Sequence, residues 1–294
     1  MASILGVVGS ARRWGNCDLL VRHALDGARH QGASVELLRL THLDLKPCTG
    51  CLRCVIGSKP CPIDDDMSWL VDRLQAVDGL VLAAPTYFLG PAAVVKLVLD
   101  RLLTVLGPEG QPPSTAARPA MTLATAGLPG WRGITLPYLN LLAAAFGFRS
   151  IASLTAVAPG PGEVLLDDEL MAGVLAAGGR VGRGELEACP VPPNTCPICR
   201  CDSFVLEGNQ ATCPICGLQG TIEQEGKAGP VIRFGPTQPA GHRWTPEALR
   251  RHMVDWVMAT GPRHLALRPE IKSRRRQFRE ADIVWARPQG NPHA

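Results

Sequence analysis

The 294-residue chain is 46% apolar and only 19% charged, which excludes an intrinsically disordered polymer and allows one substantial core with small appendages. Its formal charge of +4 is uneven: from His242 onward eleven Lys or Arg face five Asp or Glu, so the remainder is slightly acidic and unsuited to a polyanion. No segment offers the ~18 uncharged apolar residues of a membrane span and the N-terminus lacks a secretory leader, so a cytoplasmic protein is expected, in which eleven cysteines point to metal ligands rather than disulfides.

Residues 3–9, SILGVVG, form a short apolar run ending in Gly-Ser, followed by a helical stripe at Leu20, Ala24 and Ala28. The unit repeats as a strand over 35–40 and a helix over 66–77, with the cysteine-rich loop 47–62 between them. A third strand covers 79–84, and a helix opened by Pro91 carries Val95, Leu99, Leu102, Leu103 and Leu106 until Gly107-Pro108 stops it. A strand over 120–125, a helix over 133–147, a strand over 149–158 and a helix over 164–177 complete the pattern. Five strands alternating with helices predict an α/β fold, a doubly wound parallel sheet whose ligands collect at the carboxyl ends of the strands.

The Gly- and Pro-rich stretch 178–195 reads as a linker. It leads to two Cys-Pro-Ile-Cys knuckles, Cys196/Cys199 and Cys213/Cys216, separated by a segment that reads as a hairpin. Paired knuckles supply tetrahedral thiolates, and the metal supplies folding energy that so small a module cannot obtain from a core. A zinc ribbon is therefore expected, with a rubredoxin-type iron site as the rival and Cys189 and Cys201 as spare thiols. Thr245-Pro246 opens a helix that Gly261-Pro262 should end near Ala259, and 268–281 reads as a second, basic helix. Three units follow: 1–182, 183–225 and a helical, basic extension over 226–294.

Three strand-end loops carry candidate chemistry. Gly9-Ser10-Ala11-Arg12-Arg13-Trp14-Gly15-Asn16-Cys17 links a strand to a helix N-terminus, where backbone N–H groups, a Ser hydroxyl and Arg12 or Arg13 can hold one phosphate. It is neither a Walker loop nor a three-glycine dinucleotide fingerprint. The loop Pro85-Thr86-Tyr87-Phe88 offers backbone amides and aromatics to a planar ring. Thr125 to Gly133 brings glycines and an indole to the same rim.

Fourth, Cys48, Cys51, Cys54 and Cys61 can surround one soft centre, a [4Fe-4S] cluster or a zinc ion.

The segments GSARRWGN, APTYFLGPAAVVKLVLDR and ATAGLPGWRGITLPYLNLLAAAFGF together resemble the flavodoxin-like NAD(P)H-dependent FMN reductases, over roughly residues 3–180. The resemblance implies that Ser10, Arg12, Asn16 and Cys17 lie in an FMN phosphate loop, the last where relatives carry Ser or Thr. It implies Pro85, Thr86, Tyr87 and Phe88 against the isoalloxazine, with Ala126 and Gly127 at its other side. The cysteine quartet followed by Asp65-Asp66-Met67 resembles the iron-sulfur flavoprotein branch, which implies a [4Fe-4S] cluster exchanging single electrons with FMN. The expected activity is electron transfer between NAD(P)H or a redox protein and a small acceptor, in a homo-oligomer. The alternative is a redox-sensing or nucleic-acid-associated regulator using the ribbon and the basic tail.

Overall fold

A computed structural model describes residues 1–55, 59–106, 117–226, 229–235 and 241–276. Its first part runs β1 (Ser3–Val8), α1 (Asn16–His30), β2 (Ser34–Arg39), α2 (Met67–Gln75), β3 (Gly79–Tyr87), β4 (Gly90–Pro91), α3 (Ala93–Asp100), α4 (Leu103–Leu106), β5 (Arg118–Ala126), α5 (Thr135–Ala145), β6 (Phe148–Val157) and α6 (Asp168–Gly182). The five long strands are parallel in the order β2-β1-β3-β5-β6, and β4 folds back antiparallel on β3. The order reverses between β1 and β3, so the crevice beyond their carboxyl ends is the topological switch point.

Strand pleating assigns the two cores. Ile4, Val8, Val81, Ala83, Met121 and Leu123 face one side and meet Leu20, Val21, Ala24 and Ala28 of α1 with Val174 and Val181 of α6. Leu5, Val7, Leu80 and Leu82 face the other and meet Leu70 and Leu74 of α2, Val95 and Val98 of α3, and Leu139 and Phe146 near α5. Both faces are covered, so the strands read as nearly continuous apolar runs.

Three helices depart from the sequence pattern. The expected linker at 178 starts later, because α6 continues through Gly182. Its glycines are contact residues: a Cβ on Gly178 would sit 2.0 Å from Ala24 O, and one on Gly182 would sit 2.8 Å from Ala28 Cα. On α1, a Cβ at Gly27 would lie 2.1 Å from Leu175 O, so α1 and α6 touch backbone to backbone. The helix opened near Pro91 breaks at Arg101-Leu102 into α3 and α4, since Arg101 turns inward to pair with Asp65. Its expected stop at Gly107-Pro108 lies outside the described residues.

The C-terminal helix does not stop at Gly261-Pro262. α7 (Pro246–Arg251) passes through a π-type segment, His252–Met258, into α8 (Ala259–Arg274) with Pro262 and Pro269 inside it. Residues 277–281 of the expected basic helix lie outside the described residues.

The knuckle module forms a second sheet from β7 (Val205–Glu207), β8 (Gln210–Thr212), β9 (Gln219–Gln224) and β10 (Pro230–Arg233), all antiparallel in the order β10-β9-β8-β7. β7 and β8 are the expected hairpin. β9 and β10, with little apolar alternation to announce them, carry the sheet past residue 225, where the sequence placed a boundary. Among the described residues no helix is long and apolar enough to cross a membrane.

Candidate functional site

The loop after β1 is held from beneath. Arg39, at the end of β2 and 8% exposed, donates to the carbonyls of Ser10 (3.0 Å) and Arg12 (3.3 Å) and to Asp18 Oδ1 (2.8 Å). Asp18 is fully buried; burial opposes its charge, but the Trp14 amide, Arg22 and Arg39 hold its carboxyl below the usual carboxylate range. Ser10 Oγ accepts the Arg12 amide at 3.2 Å, fixing the turn. Helix α1 then begins at Asn16 behind an N-cap Gly15 that offers no side-chain cap, and the exposed Arg12 stands beside that uncapped, electropositive end.

Asn16 is committed to the protein. Its Nδ2 donates to Ala158 O (3.0 Å) and Gly160 O (2.9 Å), and its Oδ1 accepts the Gly162 amide at 2.8 Å. It therefore ties the first loop to the loop after β6 and contributes its backbone N–H to the helix end. Cys17 Sγ lies 3.2 Å from Thr125 Oγ1, and burial above all pushes its thiol up to about 11, so it is a neutral packing group joining the first loop to β5.

The other two loops are locked to each other. Thr86 Oγ1 lies 2.8 Å from Thr135 Oγ1 and 3.3 Å from Arg132 O, and the Ile134 amide donates to Leu89 O at 2.8 Å. Gly133 has φ +53°, and a Cβ there would sit 2.1 Å from Leu89 O, so only glycine permits the approach. Pro85 and Ala126 are buried under the rim, and Gly127 is exposed on it. Phe88 and Leu89 both have positive φ, 48° and 65°, in the two-residue hairpin joining β3 and β4. Asn-Gly usually fills such a turn, and holding Phe and Leu there costs about 1–2 kcal/mol each. The turn thrusts Phe88 wholly into solvent, and Tyr87 of the same turn and Leu128 and Trp131 of the loop after β5 are also exposed.

The cysteine loop is clamped by the acidic pair that follows it. Asp66 Oδ2 accepts the Asp44 amide (2.7 Å), while Asp65 accepts the Lys46 amide (2.8 Å), the Met67 amide (3.2 Å) and the Arg101 guanidinium. Cys48, Cys51, Cys54 and Cys61 line one cavity of about 70 Å³ with Arg101 and Thr104. Burial and then the thiols of Cys61, Cys48 and Cys51 push the Cys54 thiol up, as expected for converging sulfurs. The loop packs at the C-terminal end of α3, whose eight residues, about 12 Å of helix, separate it from the Thr86–Pro91 turn.

The family model of NADPH-dependent FMN reductases matches residues 2–159. The chain belongs to that family. An iron-sulfur flavoprotein of Methanocaldococcus jannaschii is 39% identical over 98 residues, 33% of this chain and 50% of the relative. One from Archaeoglobus fulgidus is 28% identical over 160 residues, 54% of this chain and 70% of the relative. The match to the first relative thus spans about half its length. A solved flavone reductase superposes with a TM-score of 0.77 over 98% of this chain and 100% of its own, at 22% identity, so the overall fold, C-terminal additions included, has a solved counterpart.

Against that family the residues present fit a flavin mononucleotide: an uncapped helix end with Arg12 suits a phosphate, and the open aromatic rim suits a planar ring. The quartet's four thiols around one cavity suit a soft metal centre, an iron-sulfur cluster or a zinc ion. Tetrahedral zinc, with Zn–S near ~2.3 Å, draws its sulfurs to about 3.8 Å of one another. Among the described residues only Cys196, Cys199, Cys213 and Cys216 form a group of three or more ligating side chains within 4.8 Å of one another. The ribbon cysteines thus have the compactness that a single ion requires.

The ribbon cysteines are all buried, with the knuckles turned by Arg200 (φ 66°) and Gly217 (φ 78°). The module docks on α5: Asn140 Nδ2 donates to Cys199 O (3.1 Å), and its Oδ1 accepts Thr122 Oγ1 and Ser153 Oγ, both at 3.0 Å. Arg132, in the loop after β5, pairs with Asp202 at 3.5 Å. Cys201 is buried beside the four clustered cysteines, and Cys189 accepts from Arg180 at 3.0 Å. Sequence reasoning missed Arg39, Asp18, Arg101 and Asn140. Other charges accompany the first three in or beside their elements, Glu36 with Arg39, Arg22 and Asp26 with Asp18, and Asp100 next to Arg101, so no local pattern singled out any of the four.

Proposed function

We propose that this protein is an FMN-dependent oxidoreductase that passes electrons from NAD(P)H or a reduced redox protein to a small, planar, conjugated acceptor. The observation that carries this reading is the cross-locking of the strand-end loops after β1, β3, β5 and β6 by Asn16, the Cys17–Thr125 contact and the Thr86–Thr135 hydrogen bond. Bound flavin would supply two-electron chemistry and could divide it into single-electron steps. The chain's own groups do the rest. Ser10, Arg12 and the α1 amides hold the phosphate, the backbone at Pro85–Phe88 and Ala126–Gly127 borders the ring, and Tyr87, Phe88 and Trp131 border the space above it.

In this reading the Cys48–Cys61 quartet carries a [4Fe-4S] cluster and the ribbon carries zinc. The solvent-facing aromatics suit the acceptor or a second copy of the chain, in a homo-oligomer. Anaerobic purification followed by visible spectroscopy and flavin, iron, sulfide and zinc analysis tests the assignment. One flavin, four irons, four sulfides and one zinc per chain are expected; a colourless protein that takes up no added FMN refutes it.

A further inference from the structure

Arg101 is an unusual side chain. It is 2% exposed beside an Asp65 carboxylate that is not exposed at all. One terminal nitrogen donates to Asp65 and to Lys46 O (3.4 Å), the other to Cys61 Sγ at 3.4 Å. Its Nε is buried and has no partner among the described residues. Arg118 Nε and Trp244 Nε1 share that state among the described residues, but only the Arg101 guanidinium lines the quartet's cavity, where its free donor is available to an acceptor held by the cysteines. Four zinc thiolates would add none beyond the cysteines themselves, whereas an iron-sulfur cluster brings inorganic sulfides.

We propose that Arg101 is a positioning residue for the iron-sulfur centre of the cysteine loop, holding Cys61 in place and favouring the reduced cluster by setting a buried positive charge against it. The inference rests on the quartet holding a cluster. One electron from a low-potential one-electron donor adds one negative charge to the centre. No bond breaks, and no proton leaves the guanidinium, which stays charged throughout. Hydrogen bonds to sulfur and nearby net charge are the groups through which a protein sets a cluster potential. Asp65 anchors Arg101 and also offsets its charge, so the two residues pull the potential in opposite directions.

The test is an anaerobic dithionite titration followed by electron paramagnetic resonance, with iron and sulfide counted in each protein. Arg101→Gln is expected to lower the reduced-to-oxidised ratio at fixed ambient potential at least tenfold, which is 59 mV for one electron. Arg101→Lys should lie nearer to the unaltered protein, and Asp65→Asn should shift the ratio the other way. If Arg101→Gln loses its cluster, Asp65→Asn and Arg101→Lys decide by the same signs. Ratios within twofold of the unaltered protein, or Asp65→Asn shifting in the same direction as loss of Arg101, overturn the proposal while the cluster stands. Absence of iron and sulfide from the unaltered protein overturns the cluster reading and the proposal together.

Discussion

Replacing Arg39 by Met should disable the phosphate loop without touching any group that would contact the phosphate. Arg39 makes three hydrogen bonds, to Asp18, Ser10 O and Arg12 O, and Met fills similar volume while making none. Breaking a buried ion pair from one side costs about 3–5 kcal/mol; the low end applies, because Arg22 (3.2 Å) and the Trp14 amide (2.9 Å) still reach Asp18. With both carbonyls released, binding must re-order about two residues at ~1–2 kcal/mol each. At ~1.4 kcal/mol per tenfold, the FMN Kd should rise at least tenfold.

Apo-protein titrated with FMN by flavin fluorescence, alongside thermal melts, measures both quantities. The pH dependence adds a sign. A carboxyl held below its unfolded value of ~3.9 contributes stability that is complete above that value and fades as pH falls through the folded one. The stability difference between the two proteins should thus be constant from pH 6 to 8 and shrink below about pH 4. Arg39→Lys should be intermediate, since an ammonium cannot span all three acceptors. A Kd within twofold and an unchanged melt would refute the argument.

Phe88→Asn should relieve a left-handed strain at no cost in burial, raising stability by up to ~1 kcal/mol, about 2–4 °C for a domain of this size, while weakening FMN or acceptor binding; a loss of stability would show that Phe88 is packed in solution. Asn140→Ala strands Cys199 O and removes an acceptor from Thr122 and Ser153, a loss of about 2–4 kcal/mol at ~1–3 per buried group. Zinc release to a chelator, followed by a metallochromic dye, should accelerate at least tenfold. Gly178→Ala forces a methyl into Ala24 O and should lower stability by at least ~2 kcal/mol in urea, although alanine favours helix; a neutral or stabilising result would deny the close approach of α1 and α6.

The parallel sheet was legible because strands buried on both faces leave apolar runs, and because the stripe Leu20, Ala24, Ala28 keeps one helical face. The knuckles were legible because their ligands are neighbours in sequence. The linker was misplaced because glycine has two meanings, chain breaker and point of contact, and only the partner helix tells them apart at Gly178 and Gly182. Asn16 shows the same limit: its place in the loop was readable, but its three bonds to the segment 158–162 come from 142 or more residues away.

The sequence by itself determined which chemistry the chain can carry, since thiolate spacing, strand period and loop composition are local properties written in consecutive residues. Tertiary structure alone decided which buried charges hold those loops in place, Arg39 under the first and Arg101 beside the cysteines. A long cationic side chain finds its partner by distance in space, and the strong forces between groups brought out of water leave no period in the sequence to read.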